Sequence, residues 1–177
     1  MDTYKLKWTQ LQQSIFSLLS DRAGEKLSQR EIAILLNVSP TAVGKALKNL
    51  KEFIILEKTK TIHFISFNRD NQTAKGLKRA ENLKNIILSG FSEFLEQDLA
   101  GATIILFGSY AKGEDTKNSD VDIAVIGRKE KRVNLTEYEK ALNRNIHMNF
   151  YGSWKDIHKH LRNNILNGII LQGSVEL

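Results

Sequence analysis

The 177-residue sequence predicts an α+β protein with two domains, a small helical domain that ends in a β-hairpin and a larger domain of interspersed helices and strands. Apolar residues at helical spacing dominate the first fifty positions, and two short strand-like runs follow them. After a polar run at 68–72, segments with strand and helix patterns alternate. The predicted domains are therefore residues 1–70 and 71–177.

The composition narrows the class of protein. Hydrophobic residues make up 41% and charged residues 26% of the chain, which excludes a disordered or fibrous protein. The absence of cysteine excludes disulfides, zinc fingers and thiol catalysis. A formal charge of +6 favours an anionic partner. No apolar run approaches the roughly 20 residues that span a bilayer, and the first residues lack the apolar centre of a signal peptide. We therefore expect a cytoplasmic protein without a membrane partner.

Three helices are predicted in the first domain. The first carries an apolar stripe at helical spacing, formed by Leu11, Ile15, Leu18 and Leu19. Ser28 and Glu31 form a capping-box pattern at the start of the second helix. The apolar side of that helix is predicted to be Ile32, Leu35 and Leu36. Ser39 suits an N-cap and Pro40 the first position of a third helix, which extends to about residue 51.

The third helix and the hairpin predict a surface for double-stranded DNA. The buried stripe of the helix is predicted to be Val43, Ala46, Leu47 and Leu50. Its outward face is then small and basic, with Thr41, Ala42, Lys45 and Lys48. Strands at 53–56 and 61–67 flank a basic tip that carries Lys58 and Lys60. This arrangement resembles a winged helix-turn-helix, in which such a helix enters the major groove and the lysines neutralise phosphates. The alternative is a protein-interaction module whose lysines face solvent.

The second domain alternates helices and strands. A long helical stretch at 73–99 carries a break signal at Ser89 and Gly90. The residues that keep an apolar helical period through this stretch are Leu83, Ile87, Phe91, Phe94 and Leu95. Strands are predicted at 103–107, 121–126 and 146–151, with a short last strand at 168–171. Helices are predicted at 135–142 and 154–166.

Two short motifs in this domain point to phosphate and metal chemistry. Gly108 and Ser109 lie at a strand-to-helix turn, where backbone amides and the hydroxyl can hold a phosphate, with Lys112 as a phosphate neighbour. Asp120 and Asp122 share one face of the next strand, about 6–7 Å apart at Cα because a strand rises about 3.3 Å per residue. Two like charges this close favour a hard divalent cation between them, Mg²⁺ or Mn²⁺. The alternative is an ordinary strand–helix turn with two surface aspartates.

The Gly-Ser pair, ten intervening residues and Asp-x-Asp resemble the signature of the polymerase-β nucleotidyltransferase superfamily. Over about residues 73–171 the short domain resembles the minimal nucleotidyltransferase branch. The fold class that follows is an α+β protein in which an N-terminal winged helix-turn-helix precedes a small mixed-sheet nucleotidyltransferase domain. The resemblance implies transfer of a nucleoside monophosphate from a nucleoside triphosphate, with ATP the expected donor, to an acceptor hydroxyl.

The same resemblance implies roles for individual residues. Asp120, Asp122 and Ser109 would be catalytic, with both aspartates on the metal, and Gly108, Ser109 and Lys112 would bind the nucleotide. The chain is also similar to antitoxin-type members, which adenylylate a tyrosine on a small helical toxin, so a toxin-like protein is an expected acceptor. The winged domain is a departure from those compact antitoxins.

A third carboxylate, normal in the superfamily on a neighbouring strand, has no match here. The corresponding strand is 145–151, and its outward positions hold His147 and Asn149. Imidazole can act as a base but is a poor magnesium ligand, and an amide oxygen ligates weakly and cannot take a proton. Glu137 and Glu139 lie in the preceding helix and need a different register to reach the site. His147 is therefore either a base or a hydrogen-bonded strand residue.

Two hypotheses follow from these residues. The first is a DNA-binding nucleotidyltransferase that uses Mg²⁺. The second is a transcriptional regulator whose degenerate second domain acts as a nucleotide sensor or a dimerisation unit. The missing carboxylate favours the regulator, whereas the two retained aspartates favour the enzyme, because a scaffold has no use for paired like charges. A homodimer is a further candidate assembly, and an RNA-modifying transferase is a third candidate function.

Overall fold

The computed structural model describes residues 8–59 and 62–175. The chain folds as two compact units, unit 1 (Met1–Ala74) and unit 2 (Lys75–Leu177), whereas the sequence predicted a boundary after residue 70. Both units combine helices and strands, so the fold class is α+β. Within the described ranges, no helix is both long enough and apolar enough to span a bilayer.

The described part of unit 1 contains three helices and a three-stranded sheet. In chain order these are α1 (Gln10–Asp21), β1 (Leu27–Ser28), α2 (Gln29–Leu35), α3 (Pro40–Leu47), β2 (Ile54–Lys58) and β3 (His63–Phe67). The strand order is β1-β3-β2, with both pairs antiparallel. This is the winged helix-turn-helix arrangement, with the β2–β3 hairpin as the wing. Residues 60 and 61 lie outside the described residues, and with them the predicted DNA contact Lys60.

Local signals in the sequence set the helix starts of unit 1. The Ser28 hydroxyl accepts a hydrogen bond from the Glu31 amide at 3.2 Å, and the Glu31 carboxylate accepts one from the Ser28 amide at 2.6 Å. The Ser39 hydroxyl accepts a hydrogen bond from the Ala42 amide at 3.2 Å, and Pro40 is the first residue of α3. The predicted capping box and the predicted start of α3 are thus confirmed.

The core of unit 1 agrees with the predicted stripe of α3 but not with that of α2. Val43, Ala46, Leu47 and Leu50 are all buried, as predicted. In α2 the buried residues are Ile32 and Ala33, whereas Leu35 is 46% exposed, so its predicted burial is wrong. The inward face of α2 follows the spacing 29, 32, 33 and 36, and Leu35 projects away from that stripe.

Unit 2 is built on a four-stranded mixed sheet. Helix α4 (Gln72–Leu88) begins just before the boundary and continues into unit 2. The elements that follow it are α5 (Phe91–Asp98), β4 (Thr103–Phe107), α6 (Gly108–Lys112), β5 (Val121–Ile126), α7 (Thr136–Leu142), β6 (Ile146–Tyr151), a 3₁₀ helix (Trp154–Asp156), α8 (Lys159–Leu166) and β7 (Ile169–Gln172). The strand order is β6-β5-β4-β7, in which only β5 and β6 run parallel. The three predicted strands at 103–107, 121–126 and 146–151 are confirmed. The predicted break at Gly90 is also confirmed, whereas the predicted helix 154–166 is divided into the 3₁₀ helix and α8.

Each face of this sheet has its own apolar core. Ile104, Leu106 and Ile123 pack on one face with residues of α4, α5, α6 and α7. Ile105 and Ala124 pack on the other face with the 3₁₀ helix and α8. Side chains alternate along a strand, so an apolar strand supplies both cores. The sheet therefore separates the apolar core on the α5 side from the apolar core on the α8 side.

The inward face of α4 differs from the prediction. The apolar pattern placed Ile87 inside, but Ile87 is 58% exposed and Ile86 is buried. The buried stripe follows a spacing of four residues through Ala74, Lys78, Asn82 and Ile86. Because Lys78 and Asn82 are polar, this stripe does not appear in the apolar periodicity of the sequence.

Candidate functional site

The two motifs of unit 2 meet at one end of the sheet. Phe107, the last residue of β4, pairs with Asp122 of β5, and Asp122 pairs with His147 of β6. Gly108 follows Phe107 directly and has a φ of 75°, in the left-handed region that favours glycine. A Cβ built on Gly108 would overlap an oxygen of the Asp122 carboxylate. The turn after β4 therefore needs glycine both for its backbone conformation and for the close approach of Asp122.

Asp120 and Asp122 are held at the start of β5. Asp120 immediately precedes the strand, and Asp122 is its second residue. Asp122 alternates with Val121 and Ile123, which lie in the α5-side core, so its carboxylate faces the other side of the sheet. Burial raises the pKa of the Asp122 carboxyl; nearby His147 lowers it and the negative charge of Asp120 raises it. The two carboxylates thus interact electrostatically within a partly desolvated site.

The two positions considered for a third catalytic group have different surroundings. His147 is exposed, and its Nδ1 lies 3.7 Å from Oδ2 of Asp120. Asn149 pairs with Ala124, and its Nδ2 donates a hydrogen bond to the Ile123 carbonyl at 3.5 Å. Asn149 is therefore turned onto the backbone of the sheet, whereas His147 lies beside the aspartates.

Within the described part of the chain, no third acidic or histidine ligand completes a metal site with Asp120 and Asp122. Over residues 8–59 and 62–175, no group of three or more His, Cys, Asp or Glu side chains is placed to hold a metal ion. Glu139 of α7 accepts a hydrogen bond from the Ile146 amide at 3.1 Å, which holds its carboxylate at the start of β6. The candidate metal ligands are therefore two carboxylates, Asp120 and Asp122.

Ser109 and Lys112 lie on α6, the short helix between the motifs. Ser109 is the second residue of this helix, and its side chain is half-buried. Lys112 is exposed, and its ammonium donates a hydrogen bond to Oδ1 of Asn164, on α8, at 2.8 Å. Ser109 therefore lies next to Gly108, whereas the Lys112 side chain is directed to α8.

A buried polar network supports the loop between the two motifs, and the sequence analysis missed it. The Lys78 ammonium lies 2.9 Å from Oδ2 of Asp115, and their side chains are 1% and 0% exposed. Asn82 donates hydrogen bonds to Oδ1 of Asp115 at 2.7 Å and to the Tyr110 carbonyl at 2.9 Å. Nη2 of Arg144 lies 3.9 Å from the same Asp115 carboxylate. The segment between Gly108 and Asp120 is thereby anchored to α4.

The outward face of α3 has the exposure that the sequence predicted. Thr41, Lys45 and Lys48 are exposed and Ala42 is half-buried, and Lys58 is exposed on the wing. Gly44 allows α3 to lie close to α2, since a Cβ there would come within 2.8 Å of Nε2 of Gln29. The same Gln29 nitrogen donates a hydrogen bond to the Pro40 carbonyl at 2.6 Å. The basic face is thus presented on a helix that is fixed against its neighbour.

Comparison with known protein families gives a match that lies almost entirely within the sheet-containing part of unit 2. Residues 88–171 match the family model described as "Nucleotidyltransferase domain", a stretch that contains both motifs. This match supports the predicted nucleotidyltransferase domain. Among solved structures, a cysteine-to-serine mutant of ZitR from Lactococcus lactis is similar, with 24% sequence identity and a TM-score of 0.39. That similarity covers 55% of this chain and 66% of the ZitR chain. A comparison with curated proteins found no match.

Proposed function

We propose that unit 2 transfers a nucleoside monophosphate from a nucleoside triphosphate, with ATP as the expected donor, to an acceptor hydroxyl. One observation carries the proposal: the Asp122 carboxylate occupies the space where a Cβ of Gly108 would lie. A phosphate held at the Gly108–Ser109 turn would therefore lie against a carboxylate that can hold a divalent cation. The family match over the same residues supports this chemistry.

The donor set fits Mg²⁺ or Mn²⁺. Magnesium in such sites is bound by one or two carboxylates together with phosphate oxygens of the substrate, and Asp120 and Asp122 supply two carboxylates. Burial raises the pKa of the Asp122 carboxyl, and nearby His147 opposes this rise. A bound cation would stabilise the ionised form of such a carboxylate. When bound, the cation would stabilise negative charge on the transferring phosphoryl group and the leaving pyrophosphate.

The residues of this chain then have distinct tasks. The Gly108 backbone and the Ser109 hydroxyl hold phosphate oxygens, with Lys112 as a further phosphate contact that would leave Asn164. The acceptor oxygen forms a bond to the α-phosphorus, and the bond from that phosphorus to the bridging oxygen breaks, so that pyrophosphate leaves. We assign His147, which lies 3.7 Å from Asp120, as the group that accepts the hydroxyl proton. Asn149, bonded to the sheet backbone, has no such task.

We further propose that unit 1 binds double-stranded DNA through α3 and the wing. The support is the exposed set Lys45, Lys48 and Lys58, together with the small residues Thr41 and Ala42 at the start of α3. Lysines on such a surface neutralise phosphates and make affinity depend on salt.

The rival function is a transcriptional regulator whose unit 2 binds nucleotide, or a second copy of the chain, without transfer. The specific observation in its favour is that the described residues hold no third carboxylate at the site. A small helical toxin-like protein remains a proposed acceptor for the enzyme, on the resemblance to antitoxins.

The deciding experiment incubates the full chain with ATP labelled at the α-phosphate, Mg²⁺ and candidate acceptors. We expect label transfer that disappears in Asp120→Asn and in Asp122→Asn. Asp98→Asn is the matched control, because Asp98 forms an ion pair with Lys131 at the surface, away from the motifs. ATP binding measured by calorimetry without transfer to any acceptor would support the sensor instead. Transfer that survives both motif variants would overturn the assigned site.

A further inference from the structure

Asp120 is shared between the motif site and a second cleft. The cleft has a volume of about 610 Å³ and lies between the loop before β5, helix α7 and the turn into β6. Its lining contains Asp120 and Asn145 but neither Asp122 nor Gly108. Oδ1 of Asp120 accepts a hydrogen bond from Nδ2 of Asn145 at 3.2 Å, and Oδ2 lies 3.7 Å from His147. The two oxygens of one carboxylate thus face two different sites.

Every residue that lines the cleft is of a polar or charged type, and three of them are the cations Lys117, Lys140 and Arg144. Asp120 and Glu139 are the two carboxylates in the lining. A tyrosine acceptor would gain from aromatic or branched aliphatic side chains around its ring, and none of the residues that line this cleft is of that type. Clustered lysine and arginine side chains instead match phosphate oxygens.

Two of the charged residues in the cleft are already held in place. The Arg144 side chain is 1% exposed, and its guanidinium donates a hydrogen bond to the Asn143 carbonyl at 3.1 Å and faces Asp115. The Glu139 carboxylate accepts the Ile146 amide. Lys140 is exposed, and Lys117 is half-buried. The cleft lining therefore combines two lysines with an arginine whose guanidinium faces the buried Asp115 carboxylate.

Building on the proposed transferase function, we propose that this cleft binds the acceptor, and that the acceptor carries a phosphate or phosphodiester group next to its hydroxyl. The end of a nucleic-acid strand and a sugar phosphate share this chemistry. Lys117 and Lys140 would contact the phosphate, while Asp120 lies between the acceptor and the nucleotide site. This acceptor class differs from the tyrosine that the antitoxin resemblance implies.

The test measures acceptor binding by the full chain in the absence of a nucleotide donor. The probes are fluorescein-labelled trinucleotides of RNA and of DNA with free 3′-hydroxyls, with ribose 5-phosphate and a phosphate-free tyrosine peptide as competitors. We expect Lys117→Ala with Lys140→Ala to weaken trinucleotide binding about tenfold. The matched control is Lys129→Ala with Lys155→Ala, which removes the same charge beyond the other ends of β5 and β6. The control should bind within about twofold of the original chain.

The outcomes separate this proposal from the proposed transfer activity. An equal loss of trinucleotide affinity in both double variants would overturn the assignment of the acceptor to the cleft. A loss of affinity only in a Lys45→Ala, Lys48→Ala variant of unit 1 would overturn it as well. Competition by the peptide but not by ribose 5-phosphate would overturn it as well. Trinucleotide binding that depends on the cleft lysines, without any transfer, would support the acceptor cleft and contradict the proposed transferase function. Transfer to the tyrosine peptide that the cleft variants leave unchanged would support the transferase function and contradict the acceptor cleft. A preference among RNA, DNA and sugar phosphate identifies the source of the phosphate.

Discussion

The two units place their functional groups in different ways. In unit 1 the candidate DNA contacts lie on consecutive turns of α3 and on the adjoining hairpin, so a short segment of sequence defines the surface. In unit 2 the candidate site joins Gly108, Asp122 and His147, which come from three strand ends and meet only through the register of the sheet. A local surface tolerates change at single positions, whereas a site assembled across strands depends on the residues that set the register and support the loops.

The largest effect of a single substitution is expected at the buried Lys78–Asp115 ion pair of unit 2. Lys78→Met leaves the Asp115 carboxylate buried without its closest cation, and removal of one partner from a buried pair costs about 3–5 kcal/mol. Urea unfolding of the full chain, followed by circular dichroism, measures this loss. Lys84→Met is the matched control on the same helix, because Lys84 pairs with Glu81 at the surface and should cost less than about 1 kcal/mol. Equal free energies of unfolding for the two variants would contradict the anchoring role of the network.

The next effect is expected at the junction of the two motifs. Gly108→Ala places a methyl group on the Asp122 carboxylate and strains a backbone with a φ of 75°. Displacement of the carboxylate by about 1 Å should lower label transfer from ATP about 100-fold. Gly76→Ala is the matched control, since a Cβ there meets nothing within 4 Å. It should leave transfer unchanged and stabilise α4 by about 0.5–1 kcal/mol. Full activity in Gly108→Ala would show that the close approach has no role in transfer.

A smaller effect, on DNA affinity, is expected from substitutions on the local surface of unit 1. Lys45→Ala with Lys48→Ala should weaken binding to duplex DNA and reduce the slope of log affinity against log salt by about one for each lysine. Fluorescence anisotropy at several salt concentrations measures both quantities. Lys84→Ala with Lys129→Ala removes the same charge from unit 2 and should leave the slope unchanged. If affinity is the same in all three proteins, α3 is not the DNA surface.

The smallest effect is expected at the cap of α2. Hydrogen bonds from the backbone amide and the hydroxyl of Ser28 hold the pKa of the Glu31 carboxyl below its ordinary value. A group with a lowered folded-state pKa adds stability above its unfolded pKa and loses it as pH falls through the folded pKa. The difference in unfolding free energy between the original chain and Glu31→Gln should therefore shrink on acidification, measured by urea titration. Glu52→Gln, at an exposed position of unit 1, serves as the control. A difference that stays constant with pH would contradict the cap as its source.

Much of the fold could be predicted because its signals are local. Capping at Ser28 and Ser39, the break at Gly90 and the apolar runs of β4 and β5 depend on neighbours within a few residues, and each was predicted correctly. The errors at Leu35 and Ile87 have one cause: several apolar residues competed for the inward face, and only packing selected among them. The divided helix at 154–166 was missed for a related reason, since its apolar pattern continues across the break at residues 157–158.

For the candidate site, the sequence by itself determined which groups are present: the Gly-Ser turn, the two aspartates and the lack of a carboxylate at positions 147 and 149. The tertiary structure alone decided how they meet. Strand pairing brought the Asp122 carboxylate into contact range of Gly108, and α4 supplied the buried Lys78 that pairs with Asp115. The placement of Asp120 at the border of the 610 Å³ cleft also came only from the fold. The physical reason is that residue type sets chemistry locally, whereas contacts between distant segments depend on strand register and on which face of each helix is buried.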